Sequence, residues 1–292
     1  MMSANDFRAK LQECLGGPWP EPCDLKPRLR ETIRKEGYRI ESVTYEAEPG
    51  DAVPAMLLVP DGIDANHPAP AVALCHQHNG EWHLGKTEPA GLAGNPAQHT
   101  GVALVQEGYV VLCPDALCFE ERQSPHLKGG DFERFEFLRY VVAGKCMAWK
   151  NILDLRRGID YLCQRPEVIR DRLGGYGHSM GSTHTWLVGP WEPRLKCLVG
   201  NCCLPSYAAI HRTHLLHCFP NFIPGLFSFG GKSCSATGPL ADCSVKSPPA
   251  GAAATGKGRS GSSGCQKNAR PSTSAASRIA IASRIRCDMN YP

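Results

Sequence analysis

Residues 172–188 read Arg-Leu-Gly-Gly-Tyr-Gly-His-Ser-Met-Gly-Ser-Thr-His-Thr-Trp-Leu-Val. Arg172 to Tyr176 suits a short strand and Met180 to Val188 a helix. Between them, Gly177-His178-Ser179-Met180-Gly181 matches Gly-x-Ser-x-Gly, a pattern that gains meaning in a strand–turn–helix context. So tight a turn needs small residues two before and two after the serine. It holds the serine in a strained backbone conformation, with the hydroxyl above a sheet. The helix that starts there aims its N–H groups and positive dipole end at developing negative charge. Ser179 is therefore the candidate nucleophile, on a nucleophile elbow. The bland alternative, a glycine-rich turn with an incidental serine, loses weight because strand, turn and helix occur in order.

The flanking sequence supplies the rest of a sheet. Tyr38 to Ala47 alternates apolar and polar residues, and Ala55 to Val59 forms a second strand ended by Pro60-Asp61-Gly62. Ala69 to Cys75 and Tyr109 to Cys113 are near-continuous apolar runs, as expected of strands buried on both faces of a parallel sheet. Leu195 to Cys203 reads as another strand. Pro96 to Glu107 suits a helix stopped by Gly108. Phe132 to Cys163 reads as largely helical, with Phe135, Leu138, Val142, Cys146, Trp149, Leu153 and Leu155 near a 3.6-residue period. The alternation implies an α/β fold with a mainly parallel sheet and helices on both faces. Residues 1–36 read as a helical lead-in, broken by Gly16-Gly17-Pro18, Pro20 and Pro22. Residues 37–230 form the domain, and 231–292 a tail.

Composition agrees. A chain of 292 residues with 42% apolar content can bury a large core, which excludes disorder throughout. No run approaches the roughly 18 apolar residues of a membrane-crossing helix. Met1 to Arg8 holds no apolar signal region. The 15 cysteines are scattered without zinc-ligand spacing, so a reducing, cytoplasmic setting is expected and a disulfide framework is not.

A second chemical feature follows the buried run. Cys75-His76-Gln77-His78-Asn79-Gly80 begins a loop where a second oxyanion N–H is commonly supplied, alongside that of the residue after the nucleophile, Met180. His76 to Gly80, Gly85-Lys86-Thr87-Glu88-Pro89-Ala90-Gly91-Leu92-Ala93-Gly94-Asn95-Pro96, the strand end Cys113-Pro114-Asp115 and the Ser179 motif together resemble the dienelactone hydrolase and acetyl xylan esterase-like branch of the α/β-hydrolases. The resemblance spans roughly residues 37–230. It implies an α/β-hydrolase fold and a serine ester hydrolase. His78, or failing that Gln77, would then give the second oxyanion N–H. Dienelactone hydrolase itself uses a cysteine nucleophile, so Ser179 points to an esterase-type member.

The family order is nucleophile, then acid, then histidine. Here the last histidine is His217, and after it come only Asp242 and Asp288 as acids. The triad acid and base are therefore unknown. His184, five residues beyond Ser179 on the same helix, should point away from the hydroxyl. His178 is fixed within the turn. His76 and His78 suit loop packing or substrate contact better than base chemistry.

The tail is unlike the rest. Of 32 basic and 28 acidic residues, nine and two lie in 231–292, leaving 23 and 26 before them. Ser, Ala, Gly and Pro make up 34 of its 62 residues, and Leu, Ile, Val and Phe only five. Such a segment cannot offset the entropy of ordering it. It is expected to be an aberrant, out-of-frame ending that replaces the last strands and their catalytic loops. Translation of the other two frames downstream of about codon 230 tests this. The sheet would then end on Leu195–Cys203, with an exposed apolar edge, poor solubility and weak activity.

Other constellations are weaker. His211, His214 and His217 sit at helical spacing, but the outer pair lies about 240° apart and no carboxylate is near. Phe219 to Phe229 suits core or cap packing, or a pocket wall. Glu120, Glu121 and Arg122 are cleft candidates or a solvated charge cluster. The expectation is a serine hydrolase of carboxylic esters or lactones, acting on a small-molecule substrate. It includes no cofactor, metal, nucleic acid or membrane, and leaves the oligomeric state open. The alternatives are a catalytically impaired or non-catalytic protein of this fold, or a peptidase of the same fold.

Overall fold

The apolar runs form the middle of a seven-stranded sheet in a computed structural model of the chain, which describes residues 3–202, 210, 212–214 and 218–226. The strands are β1 (Arg28–Lys35), β2 (Tyr38–Glu48), β3 (Asp51–Pro60), β4 (Ala69–Cys75), β5 (Val110–Pro114), β6 (Val168–His178) and β7 (Leu195–Asn201). Their order is β1-β2-β3-β5-β4-β6-β7. Pairing is antiparallel from β1 through β3 to β5 and parallel from β5 through β4 and β6 to β7. The sheet is thus mixed, and its parallel part carries the candidate site.

Both faces are covered, for a reason visible in the strand period. Successive side chains point to opposite faces. Leu57, Val59, Ala71 and Ala73 join one core with helices α1 (Ala4–Leu15) and α4 (Met147–Gln164) and the end of α5 (Met180–Val188). Met56, Leu58, Val72 and Leu74 join the other, with Leu104 and Val105 of α2 (Thr100–Gln106). Ile223 joins the first core, with Leu226 packed against it, so this part of the segment is core packing, while half-buried Phe219 lies 5.3 Å from Phe137 between ring centroids, the rings tilted by 33°.

Four sequence expectations change. Arg28–Lys35 is a strand, not part of a helical lead-in. It pairs with β2 through a turn at Gly37 (φ 81°), and its charged, exposed residues suit a sheet edge. The strand before Ser179 is longer than expected, starting at Val168. The helix expected over Pro96–Glu107 is a short 3-10 turn (Pro96–Gln98) followed by α2, stopped at Gly108 (φ 90°). The long helix over Phe132–Cys163 is two: α3 (Gly129–Val142) and α4, separated at Gly144 (φ 70°). That break resets the phase, so Phe135, Leu138 and Val142 face outward while Glu133, Glu136 and Tyr140 are buried.

Strand β7 is the last of the sheet among the described residues, and all but Lys196 are only half-buried. The tail 231–292, His211, His217, Phe227 and Phe229 lie outside the described residues. Among those described, no helix is long and apolar enough to cross a membrane.

Candidate active site

The turn between β6 and α5 has the geometry its glycines require. Ser179 sits at φ 53°, ψ −117°, outside the regions open to ordinary L-residues. Such a conformation costs about 1–3 kcal/mol and persists only where the surroundings dictate it. They do so here. A Cβ on Gly177 would overlap Gly181 O, and one on Gly181 would overlap the carbonyls of Cys75 and His76. The Ser179 N–H donates to Asn201 O at 2.8 Å, tying the turn to β7. Ser179 is half-buried, and no described side chain hydrogen-bonds its hydroxyl. Met180 is the first residue of α5, so its N–H has no intrahelical acceptor.

The contact between Gly181 and the end of β4 starts the next loop beside this turn. His76 is buried, with both ring nitrogens used. Nδ1 donates to Gln77 O at 2.7 Å, and Nε2 accepts from the Ala116 N–H at 3.0 Å. Burial lowers its pKa to about 4. Gln77 Nε2 donates to Glu88 Oε2 at 2.9 Å. His78 Nε2 donates to Glu133 Oε2 at 2.8 Å, and its Nδ1 accepts from Gly80 N–H at 2.9 Å. Asn79 and Gly80 complete the bend at positive φ. Gln77 and His78 thus lie on the loop that leaves β4 next to Ser179 and Met180.

His184 and His178 are committed elsewhere. His184 lies on the inner side of α5, 3.3 Å from Asn151 Nδ2 of α4, as its five-residue offset from Ser179 suggests. Burial, aided by His76, holds its pKa down at about 3. His178 Nδ1 accepts from Asn201 Nδ2 at 2.9 Å, and burial lowers its pKa. His214 is exposed. No described histidine is therefore bonded as a base to Ser179.

Sequence reasoning missed a buried ionic cluster at the ends of β4 and β5. Lys86 Nζ, only 1% exposed, lies 2.9 Å from Asp115, 2.6 Å from Glu120 and 2.8 Å from Glu121. Burial pulls its pKa down, but the three carboxylates more than offset this and raise it to about 12. Glu120 also accepts from the N–H groups of Gly85 and Thr87, at φ 44° on its own backbone. The carboxylate oxygens lie close enough to hold a cation, and the Lys86 ammonium fills that role. Arg122 turns the other way, to Asp154 at 2.6 Å. Glu120 and Glu121 are thus the loop's own counter-ions. Nothing in the Gly85-Lys86-Thr87 text signals that this lysine is buried.

No family model matches the chain. Over 211 residues it is 28% identical to YtaP of Bacillus subtilis (strain 168), assigned as a hydrolase, covering 70% of this chain and 67% of that protein. Among solved structures it is similar to a protein of Bacteroides fragilis NCTC 9343 assigned as an acetyl xylan esterase, with a TM-score of 0.61 and 18% identity, over 76% of this chain and 63% of that one. It is also similar to acetyl xylan esterase 1 of Thermoanaerobacterium sp. JW/SL YS485, with a TM-score of 0.53 and 17% identity, over 72% and 62%. The chain thus spans less than two thirds of these solved relatives. The likeness shows the fold, which is that of the α/β-hydrolases.

Proposed function

We propose that this chain, with its α/β-hydrolase fold, is a hydrolase of carboxylic esters or lactones that works through an acyl-enzyme at Ser179. The observation that carries the proposal is the backbone of Ser179. Its strained conformation is enforced by Gly177 and Gly181 at a strand-to-helix turn. Strain of this kind fits a hydroxyl held clear for attack.

In this reading Ser179 Oγ attacks the acyl carbonyl. The N–H groups of Met180 and His78, with Gln77 as second choice, bind the oxyanion. The alcohol leaves, and water releases the acid from the acyl-enzyme. Residues 37–230 form the hydrolase domain, and small esters are the substrates. A reducing, cytoplasmic setting belongs to the same reading and rests on the scattered spacing of the 15 cysteines in the sequence. Burial pushes Cys75 and Cys146 up to about 12, so these thiols act as small apolar core residues.

A second reading, a catalytically impaired protein, has its own support: every described histidine around the turn is bound to another group. A fluorophosphonate probe decides, because labelling needs an activated serine hydroxyl. The expected result is labelling of the wild-type chain and none of Ser179→Ala. Silence of a folded wild type would overturn the hydrolase reading in favour of the impaired one. Turnover of short acyl esters without cleavage of peptides separates the esterase from a peptidase.

A further inference from the structure

The loop leaving β4 is braced in an unusual way. Two consecutive side chains, Gln77 and His78, each end on a buried carboxylate from a different segment. Gln77 reaches Glu88, which is 3% exposed and whose other oxygen accepts the Asn95 N–H at 3.1 Å. His78 reaches Glu133 of α3, which is 1% exposed. The same Glu133 oxygen accepts from Trp82 Nε1 at 2.9 Å, and its Oε1 has no partner among the described residues. All the hydrogen bonding that this carboxylate makes there goes to the loop after β4.

The backbone between these side chains shows the opposite pattern. The Gln77 carbonyl accepts from His76, and the His78 carbonyl accepts from the Glu81 N–H at 3.1 Å. The N–H groups of Gln77 and His78 donate to nothing among the described residues. Side chains and carbonyls are thus engaged on both sides of two idle donors, beside the carbonyls that pack on Gly181. An oxyanion hole needs this arrangement: donors fixed in advance and left free for the transition state.

We propose that Glu133 and Glu88 are positioning residues, which hold the peptide N–H groups of His78 and Gln77 in place for the oxyanion. The proposal rests on the hydrolase reading above and adds two residues to it. Neither carboxylate touches substrate; each acts through the side chain it holds. Glu133 also ties the loop to α3, whose inward carboxylates the helical periodicity did not anticipate.

Amide hydrogen exchange at Gly80 and Glu81, whose N–H groups bond His78, measured on the full chain, reads this without reference to catalysis. Exchange at these two amides should rise about tenfold in Glu133→Ala and in Glu88→Ala. Glu133→Gln, which keeps the volume and one acceptor oxygen, should lie between Ala and wild type, and serves if an alanine variant does not fold. Glu136→Gln, a change on α3 at a residue that pairs with Arg139, should leave both amides as in wild type. With p-nitrophenyl acetate, kcat should fall roughly 10- to 100-fold in the Ala variants with KM within about twofold. Unchanged exchange at Gly80 and Glu81 in folded Glu133 and Glu88 variants overturns the positioning role. So does a fall in kcat that Glu136→Gln reproduces. A wild type that neither labels nor hydrolyses removes the hydrolase reading instead, and the exchange result still decides whether the carboxylates hold the loop.

Discussion

The hairpin end of the sheet and the site end are built by different rules. Around β1, β2 and β3, glycine is needed only for its backbone angle: Gly37 has positive φ, and a Cβ there would meet open space. The charges of β1 are exposed and Lys26 of the Lys26–Glu46 pair is half exposed, while Glu41 of β2 is buried against Arg39 and Arg165. At the C-terminal ends of β4, β5 and β6, glycine is needed for room, and charges are buried and paired, as in Lys86–Asp115. The hairpin end obeys local rules and tolerates change. The site end is fixed by close approach of backbone segments far apart in sequence, and should not tolerate it.

The largest effect expected on this contrast is at glycine. Gly181→Ala drives a Cβ into two backbone carbonyls that cannot rotate away, so it should cost more than about 4 kcal/mol or prevent folding. Gly37→Ala should cost only about 1 kcal/mol, the strain of its backbone angle. Urea denaturation measures both, and similar losses would break the contrast.

Lys86→Met comes next. It leaves three carboxylates around a site without its cation and should cost about 3–5 kcal/mol. Lys26→Met, from an exposed pair, should cost less than about 1 kcal/mol. A small loss at Lys86 would mean that the cluster is solvated.

The histidines sharpen the contrast through pH. Folded His184 takes up its proton at about 3, against an ordinary value of 6.5. Between those values the unfolded chain binds more protons, so stability falls as pH falls through this window. His76, at about 4, has the same sign. Asp115, raised by burial against the pull of Lys86, works in the opposite sense. His184→Gln should therefore lose about 2 kcal/mol less than wild type between pH 6.5 and 5. Parallel curves for His184→Gln and wild type would contradict its burial as a neutral ring. The smallest effect is Leu29→Ala on β1, 61% exposed, which should stay within about 0.5 kcal/mol in the same urea measurement.

The legibility of the sequence follows the same division. Ala69–Cys75 and Met180–Val188 are read to the residue because apolar runs and a glycine-bracketed serine are local signals. Arg28–Lys35 is misread because its strand state depends on pairing with β2, and the phase of α3 is misread because a break at Gly144 interrupts the period. The residues proposed for the site, Ser179, Met180, Gln77 and His78, are put forward from motif and position. Glu88, Glu133 and Lys86 are not, since an acidic or basic residue in a loop looks the same in sequence whether solvated or buried.

By itself the sequence determines the α/β class, the strand–turn–helix around Ser179, the loop after β4 and the boundary where the composition changes near residue 230. Periodicity, apolar runs and turn residues act over a few positions, and that is the range at which sequence speaks directly. Tertiary structure alone decides which charges are buried, which carboxylate meets Gln77 or His78, and that His184 turns to Asn151. Those outcomes depend on segments up to 55 residues apart meeting within 3.3 Å, and no local pattern encodes such a meeting.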